Sequence, residues 1–154
     1  MFIALVGPHA IGKTTAAKRW AVRYSSLGVV HCDNNAPEDL EGVVLLEGCS
    51  ALANRWLPQV CPAEVIHCYC SPETLAENMK RRCQDRGKRY REDYWTPRWL
   101  GYEAKIRMTN LLSKRLAGVK VVEFLISNKE QDWQVVDAYF GKLYRELNNA
   151  LVRV

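Results

Sequence analysis

The feature that most constrains the fold is a glycine-bearing loop near the start of the chain. Residues 7–14 read Gly-Pro-His-Ala-Ile-Gly-Lys-Thr and fit the pattern G-x-x-x-x-G-K-[ST]. The apolar run before the loop, Phe2 to Val6, predicts a buried strand, and residues 16–21 after it are good helix formers without a breaker. A strand, this loop and a helix in that order are the setting in which the pattern binds phosphate.

The loop pattern has a definite chemistry. Backbone N–H groups of the loop and of the helix N-terminus point at phosphate oxygens, and glycines let the chain wrap closely around them. Lys13 is expected to hold the β- and γ-phosphates, and the Thr14 hydroxyl to ligate a Mg²⁺ ion that bridges the same oxygens. The residues expected to bind the nucleotide are Gly7, His9, Ala10, Ile11, Gly12, Lys13, Thr14 and Thr15. The alternative is a glycine turn with an incidental lysine.

Further strands and helices alternate along the rest of the chain. Apolar stretches predict strands at residues 29–32, 43–46, 65–70 and 119–125. Ser71 and Thr96, each followed by proline, are good helix starts, and Ser127 with Glu130 forms a capping box. The helices predicted from these signals span residues 72–85, 97–116 and about 127–149.

This alternation predicts the fold class. Near-continuous apolar strands separated by helices indicate a parallel sheet whose right-handed crossovers cover both faces. We therefore expect an α/β fold in three layers, with a five-stranded parallel sheet and helices on both faces. The length of 154 residues fits one domain, residues 1–154, and contents of 48% hydrophobic and 25% charged residues exclude the disordered and fibrous classes.

Two further classes are disfavoured by composition. The longest apolar run has five residues, whereas a bilayer span needs roughly 20, and no basic start marks a signal peptide, so we expect a cytoplasmic protein without membrane contact. The six cysteines sit mostly in strand-like stretches, which favours reduced, structural thiols. The nearest approach to a zinc site, His67 and Cys68 with Cys70, has poor ligand spacing.

The loop, the five predicted strands and a basic segment occur in the order found in P-loop kinases of the nucleoside and nucleotide kinase group. The chain resembles that group over most of its length. Many members have a further glycine where this chain has Ala10. The resemblance implies a P-loop NTPase fold and an ATP-dependent kinase that uses ATP and Mg²⁺.

Two acidic residues are placed where the predicted strands end, which in an open α/β sheet is where the ligand crevice lies. Asp33 ends the second strand and Glu47 the third. Asp33 resembles the acid with which polynucleotide kinases orient and deprotonate the acceptor hydroxyl, and Glu47 resembles the acid after the Walker B strand, a Mg²⁺ site. The alternatives are an Asx turn or helix cap at Asp33 and an ordinary surface glutamate at Glu47.

A basic segment follows the fourth predicted strand. Residues 80–91 hold seven Lys and Arg against one acid, and residues 80–107 carry a net charge of +6 when the whole chain carries +5. The part at about 80–95 is similar to the arginine-bearing lid of nucleotide kinases, in which arginines stabilise the transferring phosphoryl group. Arg82 and Arg86, four positions apart on the predicted helix, are the candidates for this role. The alternative is a solvated basic face.

Three functions are compatible with these features. The chain resembles the phage enzymes that phosphorylate hydroxymethylpyrimidine bases in DNA, such as 5-hydroxymethyluracil DNA kinases, and the basic segment favours a nucleic-acid acceptor. Aromatic residues among these bases would stack on nucleobases or belong to the core: Tyr90, Tyr94, Trp95, Trp99 and Tyr102. The second function is a small-molecule nucleoside or nucleoside monophosphate kinase. The third is a nucleotide-binding switch or motor, disfavoured because no N-K-x-D motif occurs and the chain is small for a ring ATPase.

Overall fold

The strands of the fold form a parallel sheet. The structure is a computed structural model that describes residues 1–8, 10–31, 41–47, 60–93 and 118–152. Within these ranges, the sheet has five strands, each within one residue of its predicted bounds: β1 (Phe2–Val6), β2 (Gly28–His31), β3 (Val44–Glu47), β4 (Glu64–Tyr69) and β5 (Lys120–Leu125). The helices of the same ranges are α1 (Lys13–Arg23), α2 (Pro72–Asp85) and α3 (Glu130–Val152).

The strand order, β2-β3-β1-β4-β5, determines where a ligand can bind. All strand pairs are parallel, and β1 lies between β3 and β4. The chain leaves β1 towards β2 on one side of the sheet and later continues from β3 to β4 on the other, so the topology switches at β1. Ligands of such sheets bind beyond the carboxyl ends of the strands at this switch point. The loop that follows β1 therefore lies where the fold places a ligand crevice.

The sheet is buried on both faces, which explains why its strands are apolar almost throughout. Ile3, Leu5 and Ile66 belong to one hydrophobic cluster, to which α1, α2 and α3 all contribute. Ala4, Val44 and their neighbours on the other face form a second cluster, and they are fully buried as well. The predicted α/β class is confirmed by this arrangement.

Helix α2 has the start and the end that the sequence predicts. Ser71 is the N-cap, and its hydroxyl accepts a hydrogen bond of 3.1 Å from the Thr74 N–H, with proline at the first helical position. At the other end, Gly87 has a left-handed φ of +65°, and the Lys88 N–H donates to the Cys83 carbonyl at 2.8 Å. This is a Schellman motif, which satisfies the last carbonyls of the helix.

The start of α3 corrects the predicted capping box. Glu130 was expected to pair with Ser127, but the acid that does so is Asp132, whose carboxylate accepts hydrogen bonds from the Ser127 N–H at 2.8 Å and from its hydroxyl at 2.5 Å. These hydrogen bonds lower the pKa of Asp132. The helix begins at Glu130 rather than at Ser127, so the acid that can reach back to Ser127 is two positions further along the chain.

Helices α1 and α3 are fixed against each other through one buried tryptophan. Trp20 is 1% exposed and stacks on Phe140, with ring centroids 4.0 Å apart and an interplanar angle of 4°. Its indole N–H donates to Asp137 at 2.7 Å, and Arg19 donates to the same carboxylate oxygen at 2.7 Å. The helix that follows the glycine-bearing loop, α1, is thereby tied to α3.

Several predictions concern parts of the chain that lie outside the described ranges. These are the helix at 97–116, the aromatic residues Tyr94, Trp95, Trp99 and Tyr102, and two of the cysteines, Cys32 and Cys49. The four cysteines within the described ranges form no disulfide with one another. None of the three helices described above is long and apolar enough to cross a membrane.

Candidate phosphate-binding site

The loop begins at Gly7, where the backbone of β4 passes too close for any side chain. A Cβ at Gly7 would lie 2.1 Å from the carbonyl oxygen of Cys68, a backbone atom that has little freedom to move. Further along the loop, the side chain of Ile11 is 5% exposed and belongs to the core cluster below the sheet. The path of the loop is therefore fixed at two points. Gly7 lies against the backbone of β4, and the Ile11 side chain is buried in the core.

Ala10 lies within the loop in a left-handed conformation, with φ at +60°. At this position, many nucleoside and nucleotide kinases, the group that the sequence resembles, have glycine. A left-handed backbone costs an L-residue roughly 1–2 kcal/mol, and alanine is the smallest side chain that incurs this cost. The loop keeps its turn at Ala10 without a glycine.

The N-terminus of α1 has no side-chain cap, whereas Ser71 caps α2. Its N-cap is Gly12, at a φ of +103°, with no side-chain cap and no acid in the first turn. The first helical hydrogen bond runs from the Ala16 N–H to the Gly12 carbonyl at 2.9 Å, so the helix itself does not use the N–H groups of Thr14 and Thr15. An uncapped, positively polarised helix end of this kind attracts an anion.

Lys13 brings a full positive charge into the loop. The side chain is only 6% exposed, and its ammonium group donates to the carbonyl oxygens of Gly7 at 3.0 Å and Pro8 at 2.6 Å. Its charge lowers the pKa of two nearby thiols, but their burial outweighs this and raises the pKa of Cys68 to about 12 and of Cys70 to about 11. Both thiols are therefore protonated at neutral pH, and Lys13 is the charged group of this set.

A second polar cluster lies at the ends of β2 and β3, beside the first turn of α1. The Thr14 hydroxyl donates to Glu47 Oε1 at 3.0 Å, and His31 Nδ1 pairs with the other oxygen of the same carboxylate. Glu47 is buried, whereas the imidazole of His31 is about half exposed. The parallel register of β2 and β3 places His31 directly beside Glu47, which explains the contact.

These oxygens fit the magnesium ion that the fold implies. A threonine hydroxyl and a carboxylate are hard ligands, which Mg²⁺ prefers to thiols or imidazoles. No group of three or more His, Cys, Asp or Glu side chains suited to a metal occurs in the described part of the chain. Thr14 and Glu47 are the residues that would hold the Mg²⁺ ion.

The other predicted site residues are less fully placed. His9 and Asp33 lie outside the described residues. Arg82 is half-buried near the end of α2, and the exposed Arg86 is the C-cap of the helix, with its N–H donating to the Arg82 carbonyl at 3.1 Å, so the two lie one helical turn apart. Neither guanidinium forms an ion pair or hydrogen bond with a residue in the described ranges.

Sequence reasoning missed two residues that touch this site. Trp133, in the first turn of α3, donates its indole N–H to the carbonyl oxygen of Ile11 at 3.1 Å. His31, the last residue of β2, contacts Glu47. The contact of His31 with Glu47 could have been predicted from the sequence, because two parallel strands that end together bring their final residues side by side. The contact of Trp133 spans 122 positions and has no signal in the linear pattern.

Comparison with solved structures identifies the fold. Shikimate kinase from Bacteroides thetaiotaomicron is similar, with a TM-score of 0.56 and 12% identity, over 94% of this chain and 98% of that chain. A sulfotransferase from Alicyclobacillus acidocaldarius matches with a TM-score of 0.50 and 10% identity, over 80% of this chain and 72% of that one. The chain has the P-loop α/β fold. No family model and no curated protein sequence matches it.

The features of the site lie where a P-loop fold binds its ligand. The glycine loop, the open helix end and the buried lysine all lie at the switch point of a parallel sheet, which is the ligand position of such folds. The site combines backbone donors, one ammonium group and a hydroxyl–carboxylate pair. An arrangement of this kind can bind a polyphosphate together with a divalent cation.

Proposed function

We propose that the protein is an ATP-dependent phosphotransferase that moves the γ-phosphate of ATP to a hydroxyl group. The observation that carries this proposal is the position of the Lys13 ammonium, held 3.0 Å from the Gly7 carbonyl oxygen inside a loop that ends at an uncapped helix. The Thr14–Glu47 contact beside it supplies the oxygens for Mg²⁺. Binding of a triphosphate requires both a cationic cradle and a place for the cation.

The residues of the loop bind and orient the triphosphate. The N–H groups at the start of α1 donate to phosphate oxygens, and Lys13 exchanges its neutral carbonyl acceptors for anionic ones, to which hydrogen bonds are stronger. When bound, Mg²⁺ neutralises charge on the phosphate oxygens. Fixed donors directed at the transferring group supply most of the catalysis in phosphoryl transfer, since the protein has little covalent chemistry to perform.

Two further roles belong to residues that the sequence singles out. Asp33 is proposed to orient the acceptor hydroxyl and to take its proton, so that the oxygen attacks the γ-phosphorus as the bond to the β-phosphate oxygen breaks. Arg82 and Arg86 are proposed to donate to the equatorial oxygens of the transferring group. Support for the arginine roles comes from their lack of acidic partners in the described ranges, which leaves both guanidinium groups able to bind an anion.

The acceptor is proposed to be a hydroxyl on nucleic acid, with a hydroxymethylpyrimidine base in DNA as the best candidate. Support comes from the charge of the segment after β4. Lys80, Arg81 and Arg91 are paired with Glu92, Glu77 and Asp93. The bases without an acidic partner in the described ranges are Arg82, Arg86, Lys88 and Arg89. These four cations exceed what one triphosphate needs and suit a phosphate backbone.

The second candidate is a small-molecule kinase, such as a nucleoside or nucleoside monophosphate kinase. It is favoured by the likeness to shikimate kinase, which covers nearly the whole of both chains. In that case the basic segment serves only the phosphates of ATP and of the acceptor. The two candidates differ in how strongly salt weakens substrate binding.

Labelled ATP tests both candidates at once. The protein is incubated with ATP labelled at the γ-phosphate and a panel of acceptors: nucleosides, nucleoside monophosphates, shikimate, plain DNA and DNA that contains hydroxymethyluracil. We expect label in the modified DNA and none with Lys13→Ala. Label only in a nucleoside, a nucleoside monophosphate or shikimate identifies the second candidate, and ATP binding without label in any pool contradicts the proposed phosphotransferase function.

The salt dependence of DNA binding tests the role of the basic segment. Each backbone phosphate contact contributes about −0.7 to −0.9 to the slope of log K against log salt. The double variant Lys88→Ala/Arg89→Ala is expected to make this slope shallower by about 1.4–1.8, with ATP affinity little changed. The matched control is Lys142→Ala, an exposed base on α3, which should leave the slope unaltered.

A further inference from the structure

Trp133 contacts the phosphate loop from a different part of the fold. Its indole Nε1–H donates to the Ile11 carbonyl oxygen at 3.1 Å. The same ring lies against Gly12, because a Cβ at Gly12 would be 3.3 Å from Nε1 and 3.5 Å from Cε2 and Cζ2. Two features favour glycine at this position: the left-handed φ of +103° and the indole, with which a Cβ would be in tight contact.

This hydrogen bond fixes the orientation of one peptide group. The carbonyl of Ile11 and the N–H of Gly12 belong to the same planar trans peptide and point in opposite directions. When the carbonyl is held on Trp133, the Gly12 N–H must point away from α3. No backbone hydrogen bond among the residues described uses this N–H. It lies next to Lys13, whose ammonium group is held inside the loop.

We propose that Trp133 is a positioning residue for triphosphate binding, which holds the Ile11–Gly12 peptide so that the Gly12 N–H faces the phosphate. This inference rests on the proposed function, because it concerns the same loop. It adds a determinant of nucleotide affinity that lies 122 positions from its hydrogen-bond partner and outside the G-x-x-x-x-G-K-[ST] pattern. A peptide already oriented before binding needs no reorganisation when the ligand arrives.

The element that carries Trp133 is itself held firmly. Asp132, its neighbour, accepts hydrogen bonds from Ser127 in the segment between β5 and α3. One turn further along, Asp137 accepts hydrogen bonds from Trp20 and Arg19 of α1. Trp133 belongs to α3, and the bonds to Asp137 hold α1 against α3. Because α1 begins directly after the loop, the indole of Trp133 and the N-terminus of α1 are fixed relative to each other.

A pair of tryptophan variants separates positioning from packing. Trp133→Phe removes the indole N–H and keeps an aromatic ring, while Trp20→Phe removes a comparable N–H bond between α1 and α3 that does not touch the loop. Affinity for ATP·Mg²⁺ is measured by calorimetry, kcat and KM by phosphoryl transfer, and Tm by thermal unfolding. We expect Trp133→Phe to weaken ATP affinity and raise the KM for ATP by about 3–10-fold, the value of one hydrogen bond.

The control variant is expected to behave in the opposite way. Trp20→Phe should lower Tm and leave ATP affinity within about 2-fold of wild type, because Arg19 still donates to Asp137 and a phenyl ring can still stack on Phe140, so α1 and α3 remain packed together. If Trp133→Phe has a lower Tm but binds ATP as tightly as wild type, Trp133 has a packing role only and the proposal is overturned. If the wild-type protein binds no ATP, the proposed function fails; if it binds ATP and Trp133→Phe binds it equally well, only this inference fails.

A measurement on the wild-type protein covers the case in which Trp133→Phe does not fold. In a sample with ¹⁵N-labelled tryptophan, the indole resonance of Trp133 is assigned through its contacts with Ile11 and Gly12. Addition of ATP·Mg²⁺ should shift this resonance strongly and the Trp20 resonance little. An unshifted Trp133 resonance at saturating ATP contradicts the proposal.

Discussion

The hydroxyl of Thr14, in the first turn of α1, donates a 3.0 Å hydrogen bond to the buried carboxylate of Glu47 at the end of β3. Thirty-three positions separate the two residues, and the pairing of β1 with β3 brings them together. A hydroxyl and a carboxylate thus lie together beside the glycine-bearing loop. Under the proposed function, they mark where a cation would meet the triphosphate.

Changing either of these residues should impair the use of Mg²⁺. In Glu47→Gln the amide keeps an acceptor for Thr14 but loses the charge, and in Thr14→Val the hydroxyl is lost from a side chain of similar shape. We expect each variant to need about 10–100-fold more Mg²⁺ for half-maximal phosphoryl transfer. Thr15→Val, at an exposed neighbouring position, is the control. Unchanged magnesium dependence in both variants would place the cation elsewhere.

Gly7→Ala should be one of the most destabilising changes in the loop. The new methyl group would lie 2.1 Å from the Cys68 carbonyl oxygen, so the backbone of the loop or of β4 has to move. We expect a loss of about 3 kcal/mol in the free energy of unfolding, measured in urea. Gly118→Ala is the control, because its Cβ would be in open space and only its φ of +88° opposes the change, at a cost of about 1 kcal/mol. If Gly7→Ala and Gly118→Ala lowered the free energy of unfolding equally, the backbone at Gly7 would not lie so close to β4.

Asp132 should contribute to stability in a pH-dependent way. Hydrogen bonds from Ser127 lower the pKa of Asp132 below its usual value of 3.8. A lowered carboxyl pKa means that the stabilisation is complete above the unfolded pKa and is lost as pH falls through the folded one. At pH 7, Asp132→Asn should cost about 1 kcal/mol, and this difference from wild type should shrink as pH falls through the lowered pKa of Asp132.

Glu130→Gln is the matched control for Asp132→Asn. Both residues are acids in the first turn of α3, but the hydrogen bonds from Ser127 go to Asp132. We expect Glu130→Gln to cost only a few tenths of a kcal/mol, through the helix dipole. If Glu130→Gln destabilised the protein more than Asp132→Asn, the capping box would be formed by Ser127 and Glu130, as the sequence predicted.

Cysteine labelling should distinguish surface thiols from those beneath the loop. Cys61 is exposed, whereas burial raises the pKa of Cys68 to about 12 and of Cys70 to about 11. Because the thiolate is the reactive form, Cys61 should react with iodoacetamide at pH 8 on the order of 100-fold faster than Cys68. Peptide mass spectrometry after timed labelling measures the rates. Comparable rates would mean that the core below the loop opens readily.

The sequence predicted those parts of the site that local pattern determines. The loop, β1 and α1 follow from one contiguous motif, and Glu47 follows from an apolar run that ends in an acid and a glycine. The bounds of α2 were predictable because Ser71, Pro72 and Gly87 act on their immediate neighbours. In each case the residues that decide the structure lie within a few positions of one another.

The parts that the sequence did not predict depend on tertiary packing. The contact of Trp133 with Ile11 requires α3 to lie against α1, and the Trp20–Phe140 stack that fixes those helices is likewise long-range. The choice of Asp132 over Glu130 depends on the residue at which α3 begins, a difference of less than one helical turn. Pattern alone does not resolve helix starts to that accuracy.

The most direct test of the central claim compares wild type with Lys13→Ala in one calorimetric titration with ATP·Mg²⁺ and one phosphoryl-transfer assay. The ammonium of Lys13 donates to the Gly7 and Pro8 carbonyls, which solvent or a ligand can replace, so we expect the variant to keep its fold and its circular dichroism spectrum. Wild type should bind ATP and transfer phosphate, and Lys13→Ala should show turnover reduced by at least about 100-fold. Full activity in a folded Lys13→Ala protein would contradict the proposed site.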